Sequence, residues 1–104
     1  MTKIQLESDF QRKLKKRIKD EIPGSVVKRN QADDIQGFPD LTVYCGCKYA
    51  QLEVKRSAGA PHRPNQDYYI NMFKKMGGYA TFVYPENADV VISELVAYFK
   101  EENL

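Results

Sequence analysis

The sequence predicts an α/β protein of the α+β kind, in which a mixed four-stranded sheet is flanked by helices in the order αβββαβα. Three observations carry that expectation. Leu41–Cys45 and Gln51–Lys55 alternate apolar and polar residues on either side of Gly46-Cys47, the pattern of a β-hairpin. Three other segments repeat apolar residues every three or four positions, as helices with one buried face do. Glycine and proline punctuate the joints: Pro23-Gly24, Gly59 with Pro61, Gly77-Gly78, and Pro85.

The first helix is expected from about Leu6 to Ile22. There Phe10, Leu14, Ile18 and Ile22 recur every four residues, with basic residues between them. Two capping boxes fit its start, Ser8 with Gln11 and Thr2 with Gln5, and Pro23-Gly24 ends it. Ser25 to Arg29 reads as a first strand and Asn30 to Phe38 as a polar loop. The hairpin supplies the second and third strands. Ser57 to Arg63 is a loop, and Pro64 suits the first turn of a second helix. That helix has an apolar stripe of Tyr69, Met72, Phe73 and Met76, with Gln66 on the same stripe in the first turn. Gly77-Gly78 closes it, and Tyr79 to Tyr84 makes a fourth strand. Asn87 is the expected N-cap of a last helix whose core face is Val91, Leu95, Tyr98 and Phe99.

The hairpin holds the chemistry. A glycine at the first central position suits a two-residue type II′ turn, which sets Cys45 opposite Lys48. The same register carries Asp40 opposite Glu53, with Cβ atoms roughly 5 Å apart on one face. Lys55 shares that face, while Leu41, Val43, Leu52 and Val54 point the other way. Carboxylates so placed repel each other and destabilise a sheet unless a cation lies between them. Mg²⁺ suits such a pair, because it takes one or two carboxylates and fills its octahedron with water and phosphate oxygens. A solvated sheet face with a Glu-Lys contact is the competing account. Tyr44 and Tyr49 also face each other, as a cross-strand aromatic pair or a base-stacking platform. Asp33 and Asp34 fall outside the register and read as solvated.

At 104 residues the chain suits a single domain spanning 1–104 with one modest core. Its 42% hydrophobic and 29% charged content is that of a globular protein. No apolar run reaches transmembrane length and no signal-peptide pattern is present, so a cytoplasmic setting is expected. Cys45 and Cys47 lie too close in one hairpin for a relaxed disulfide and lack partners for zinc, so they read as reduced thiols. The net charge is only +2, but Arg12, Lys13, Lys15, Lys16, Arg17 and Lys19 crowd one segment. Lys48, Arg56, His62 and Arg63 fall near the hairpin. Such clusters supply phosphate contacts for nucleic acid, or form an ordinary solvated helix face.

The motif Gly37-Phe38-Pro39-Asp40 followed by Glu53-Val54-Lys55 resembles the signature of the PD-(D/E)XK nuclease superfamily. The αβββαβ order is similar to that superfamily's restriction-endonuclease-like core. Gly37 before Pro-Asp, Gln66 opening the next helix and Gly77 or Gly78 at its end resemble the VRR-NUC branch, including its phage-type, Holliday-junction-resolvase-like members. The resemblance runs from about Glu7 to Asn87. It implies a Mg²⁺-dependent DNA endonuclease, with Mn²⁺ as an alternative ion, acting in replication, repair or recombination in a bacterial cell or phage-infected host. By the same resemblance Asp40, Glu53 and the Val54 carbonyl are metal ligands. Lys55 orients or deprotonates water or stabilises charge on the phosphate. Gln66 contacts that water, Lys55 or a phosphate, and Glu7 on the first helix binds metal through water or completes a second position. Lys15, Lys16, Lys19, Lys48, Arg56 and Arg63 are the expected DNA contacts. Arg63 opposes the dipole of the helix it precedes, which suits a side chain reaching for an anion.

With the whole chain occupied by a nuclease core, shape and phosphate contacts are left to select the substrate. A homodimer on branched DNA then supplies two matched cuts. The alternative function is a non-catalytic nucleic-acid-binding module using the basic first helix. A role for that helix at a membrane or partner surface is weaker, because Phe10, Leu14 and Ile18 are needed for the core.

Overall fold

The structure is a computed structural model that describes residues 2–31 and 34–101; Asp33 of the acidic pair lies outside them. The elements are α1 (Lys3–Glu21), β1 (Val26–Arg29), β2 (Leu41–Cys45), β3 (Lys48–Val54), α2 (Gln66–Lys75), β4 (Tyr79–Val83) and α3 (Ala88–Lys100). The expected order therefore holds. The sheet runs β1-β2-β3-β4, with the first three strands antiparallel and β4 parallel to β3. That makes it mixed, because the α2 crossover returns the chain in the direction of β3.

Helix α1 begins earlier than expected. Thr2 and Gln5 form the capping box, the Thr2 hydroxyl accepting from the Gln5 N–H at 3.1 Å and the Gln5 side chain accepting from the Thr2 N–H at 2.8 Å. Ser8 and Gln11 lie inside the helix. The hairpin register is as read from the turn: Cys45 pairs with Lys48, Tyr44 with Tyr49, Thr42 with Gln51 and Leu41 with Leu52. Gly46 takes a φ of 62°, the left-handed conformation that a tight turn needs at this point.

The sheet is covered on both sides. Leu14, Ile18 and Ile22 of α1 and Val91, Ile92 and Leu95 of α3 pack on Leu41, Val43, Ala50, Leu52, Val54 and Val83. On the opposite face Ile70 and Phe73 of α2 pack on Ala80, with Phe38, Tyr49, Tyr69, Met72 and Phe82 around them. The α2 stripe is thus displaced from the expected one. Met76 is exposed, and Ile70, which the spacing did not single out, is buried. Asn87 occupies the N-cap position of α3 without capping it. Its side chain turns back to β4, accepting from the Tyr84 N–H at 2.8 Å and donating to the Phe82 carbonyl at 3.0 Å. Among the described residues no helix is long and apolar enough to cross a membrane.

Candidate active site

Strand alternation fixes what the α2 face carries near the end of the hairpin. The pairing of Leu41 with Leu52 brings Asp40, just before β2, beside Glu53. Asp40 is held there by the backbone, its Oδ2 accepting from the Val54 N–H at 2.9 Å. Glu53 and Lys55 are 4% and 5% exposed, so the Glu-x-Lys run is a buried polar strip and not a solvated face. Thr42 and Gln51, the register pair beside them, are buried too. The Thr42 hydroxyl accepts from Asn30 Nδ2 at 2.9 Å and donates to Gln51 Oε1 at 2.6 Å, while Asn30 Nδ2 also donates to the Pro39 carbonyl. This strip anchors the turn that presents Asp40. Sequence reasoning missed it, although the register that joined Asp40 to Glu53 also joins Thr42 to Gln51.

Gln66 connects the carboxylate to the ammonium group. Its Nε2 donates to Glu53 Oε2 at 3.0 Å, and its Oε1 accepts from Lys55 Nζ at 2.6 Å and from the Arg63 N–H at 2.8 Å. Two donors on one oxygen leave the amide a single workable orientation, since reversal would set its NH₂ against the Lys55 ammonium. Lys55 Nζ also donates to the Pro61 carbonyl at 3.1 Å. The lysine is therefore held by neutral oxygens and not by a direct ion pair with Glu53.

Gly37 explains why the Asp40 loop and the start of α2 meet. Its φ is +83°, and a Cβ added there would fall 2.6 Å from the Asn65 carbonyl carbon and 2.7 Å from the Pro64 oxygen. Only a glycine lets the two backbones pass this closely. Asn65 in turn adopts a φ of 70°, which starts α2 directly at the buried Gln66.

The electrostatics follow from burial. Glu53 is pushed up to about 9, first by loss of solvent, then by a hydrogen bond with Asp40 and by that carboxylate's charge. Lys55 opposes the shift but does not cancel it. The pair therefore holds a proton at neutral pH. Glu7, on the first turns of α1, reaches the same pocket; partial burial and the charge of Asp40 raise its pKa, while Lys55, Arg63 and Arg56 lower it.

The pocket is small, about 120 Å³, and is lined by Glu7, Asp40, Glu53, Lys55, Arg56 and Gln66 with Ala60, Pro61 and Arg63. The fold thus gathers every expected catalytic and metal-binding side chain, together with two of the expected phosphate contacts. Among the described residues no three His, Cys, Asp or Glu side chains converge tightly enough to cage a metal ion. Lys15, Lys16 and Lys19 line a separate open groove between α1 and β1 with Arg12 and Arg29, the last not singled out from sequence. Lys48 is elsewhere. At the far end of β3 its ammonium donates to the Tyr98 and Glu101 carbonyls at 2.8 and 2.7 Å, closing the end of α3. A basic residue near a hairpin in sequence is near only one of its ends in space.

No family model matches the sequence, and no curated protein matches it significantly. Solved structures do match in fold. A VRR-NUC domain is 25% identical with a TM-score of 0.70, covering 85% of this chain and 95% of that one. A VRR-NUC domain protein is 21% identical with a TM-score of 0.66, over 90% and 88% of the two chains. A Holliday junction resolvase from the archaeal hyperthermophile Archaeoglobus fulgidus is 17% identical with a TM-score of 0.50, over 74% and 67%. The resemblance read from the motifs stands: the chain has the VRR-NUC fold, an α+β arrangement of three helices and a mixed four-stranded sheet.

Proposed function

We propose that the protein is a Mg²⁺-dependent endonuclease that hydrolyses DNA phosphodiester bonds, with Asp40, Glu53, Lys55 and Gln66 as its working residues. The observation that carries this reading is the pairing of half-buried Asp40 with buried Glu53, which Gln66 joins to the Lys55 ammonium in a pocket rimmed by Arg56 and Arg63. A buried Glu53 that must keep a proton beside Asp40 is unfavourable for folding at neutral pH, and a divalent cation relieves the repulsion as a proton does. The donor set fits Mg²⁺. Asp40 and Glu53 would hold the ion with the Val54 carbonyl, since the Val54 N–H faces Asp40 and both backbone groups of a strand residue lie on one edge. So few protein oxygens leave the other positions to water and phosphate, as this ion prefers, and Mn²⁺ accepts the same donors. When bound, such an ion supplies Lewis-acid polarisation of the phosphate and a more acidic water.

The chain's own residues do the rest. Lys55 offers its third ammonium hydrogen to charge growing on the phosphate oxygens. Gln66 fixes Lys55 and Glu53 relative to each other, so neither is searching for its position when the phosphate arrives. The guanidinium groups of Arg56 and Arg63 make no hydrogen bond or ion pair among the described residues, which leaves them for the phosphates on either side. Glu7 closes the pocket from α1. Lys15, Lys19 and Arg29 would carry the backbone away along the α1–β1 groove, and Lys16 would exchange its exposed partner Asp20 for a phosphate.

Branched DNA is the proposed substrate and a twofold homodimer the proposed working form. The similarity in fold to a Holliday junction resolvase supports the first, and the second follows from the need for paired cuts, which two opposed sites supply. The test is incubation with linear, flapped and four-way-junction DNA in Mg²⁺ or EDTA. Cleavage in Mg²⁺ alone, strongest on the junction, is expected. Cleavage in EDTA overturns the metal assignment, and binding without cutting leaves the non-catalytic module.

A further inference from the structure

We propose that His62 is a positioning residue that holds the Lys55–Gln66 pair in register from outside the pocket. The proposal rests on the site reading above and adds a member that neither the motifs nor the pocket lining contains. The His62 ring stacks on Phe82 with centroids 4.0 Å apart and planes 14° from parallel. Phe82 is the register partner of Glu53 on β4, so this stack ties the β3–α2 loop to the strand beside the acid pair. The His62 Nδ1–H donates to Asp67 Oδ1 at 2.9 Å, tying the same loop to the first turn of α2 next to Gln66.

What the loop holds lies on either side of the histidine. The preceding carbonyl, Pro61, accepts from Lys55 Nζ, and the following N–H, Arg63, donates to Gln66 Oε1. His62 is thus pinned at two points between the two backbone groups that orient the lysine and the glutamine. The loop carries Gly59, and Pro61, His62 and Arg63 are exposed; its other ties, the buried Ala60 and the Ala58 N–H that donates to Glu86 at 3.2 Å, lie before these three residues. Released from Phe82 and Asp67, the loop would withdraw one oxygen from Lys55 and one donor from Gln66. The Gln66 amide would lose its single orientation and, with it, its aim at Glu53.

The test uses the full chain with His62→Ala and His62→Phe, the second keeping a ring on Phe82. The probes are single-turnover cleavage, DNA affinity measured in Ca²⁺, and the Gln66 side-chain amide protons in ¹H–¹⁵N spectra. In His62→Ala we expect cleavage to fall ~10–100-fold, the cost typical of removing a residue that orients a metal-site group. DNA affinity should stay within about twofold. The Gln66 amide signals should move towards free-amide positions and exchange faster with solvent, and His62→Phe should recover part of both effects. In a Gln66→Ala background the same histidine change should cost less than about threefold, because the two act through one another. Unmoved Gln66 signals in His62→Ala overturn the proposal. So does a loss carried by affinity alone, which makes His62 a phosphate contact, or an undiminished loss in the Gln66→Ala background. The spectra need no nuclease activity: a wild-type protein that cuts nothing overturns the functional reading, while the Gln66 signals still decide this one.

Discussion

The face of the sheet under α1 and α3 and the face under α2 are both buried, but by different chemistry. Under α1 and α3, Leu41, Val43, Ala50, Leu52, Val54 and Val83 are at most 1% exposed, and they pack among apolar side chains. Under α2 the two central strands bury Thr42, Gln51 and Glu53, and Lys55 is buried just past the end of β3. Side chains one residue apart on β3 therefore serve opposite ends. Burial of apolar side chains favours the fold at roughly 25 cal/mol per Å², whereas burial of a carboxylate and an ammonium opposes it unless each is paired. The hydrogen bonds through Gln66, Asn30 and the Pro61 carbonyl limit that cost and hold the groups in the arrangement that the proposed phosphate chemistry needs. The first face supplies stability and the second gives some of it up.

Removing one group from each face breaks the comparison most sharply. Asp40→Asn should lower cleavage by about a thousandfold or more, equivalent to roughly 4 kcal/mol in the barrier. Its urea midpoint should not fall, because the amide oxygen still accepts from Val54. Ile18→Ala, at a fully buried position of the apolar face, should cost ~2–5 kcal/mol of stability by urea unfolding while the folded fraction cuts normally at about 25 °C.

Gly37 joins the two regimes. Gly37→Ala forces a Cβ onto the Pro64–Asn65 backbone and strains a positive φ, for ~1–3 kcal/mol of stability. Cleavage should fall further than in Ile18→Ala, because the Asp40 loop and Gln66 move apart. An activity loss no larger than that in Ile18→Ala would mean the joint does not set the site geometry.

The smallest effects on stability belong to the groove. Changing Lys15, Lys19 and Arg29 to Glu should leave unfolding within about 0.5 kcal/mol of wild type. DNA affinity should drop, and its dependence on salt should flatten by roughly one unit of slope for each phosphate no longer neutralised. An unchanged slope would make the groove an ordinary solvated surface.

How much of this was legible in the sequence differs between the two faces. Apolar periodicity located the helices and the hairpin, glycine and proline punctuation placed the other two strands, and one glycine turn set the register that joins Asp40 to Glu53. These are local signals, and local signals suffice where a residue's neighbours are close in sequence. Ile70 was missed because it is buried in a cluster with Ala80 of β4, a partner that the helix's own stripe does not reveal. Lys48 was misplaced because sequence proximity to the hairpin does not say which end of the sheet a side chain occupies. His62 and Arg29 joined no motif, since Phe82 and the α1 lysines are brought to them only by the fold, and the five-residue step from His62 to Asp67 carries no signal of its own.

The central claim is that the polar face gives up stability for its chemistry, and Glu53 tests it most directly. Its folded-state pKa is raised from 4.5 to about 9 by burial and by Asp40. Below pH 4.5 folded and unfolded chains both hold the proton, so the group contributes no pH dependence. Between pH 4.5 and about 9 the unfolded chain has released it and the folded chain has not, so stability falls as pH rises, by at most about 1.4 kcal/mol per unit. Glutamine mimics the protonated acid, accepting from Gln66 and donating to Asp40, and has no proton to lose. Urea unfolding of wild type and Glu53→Gln in EDTA should therefore show the variant the more stable at about pH 8, with the gap closing as pH is lowered towards 4.5. A Glu53→Gln protein no more stable than wild type at that alkaline pH would contradict the account.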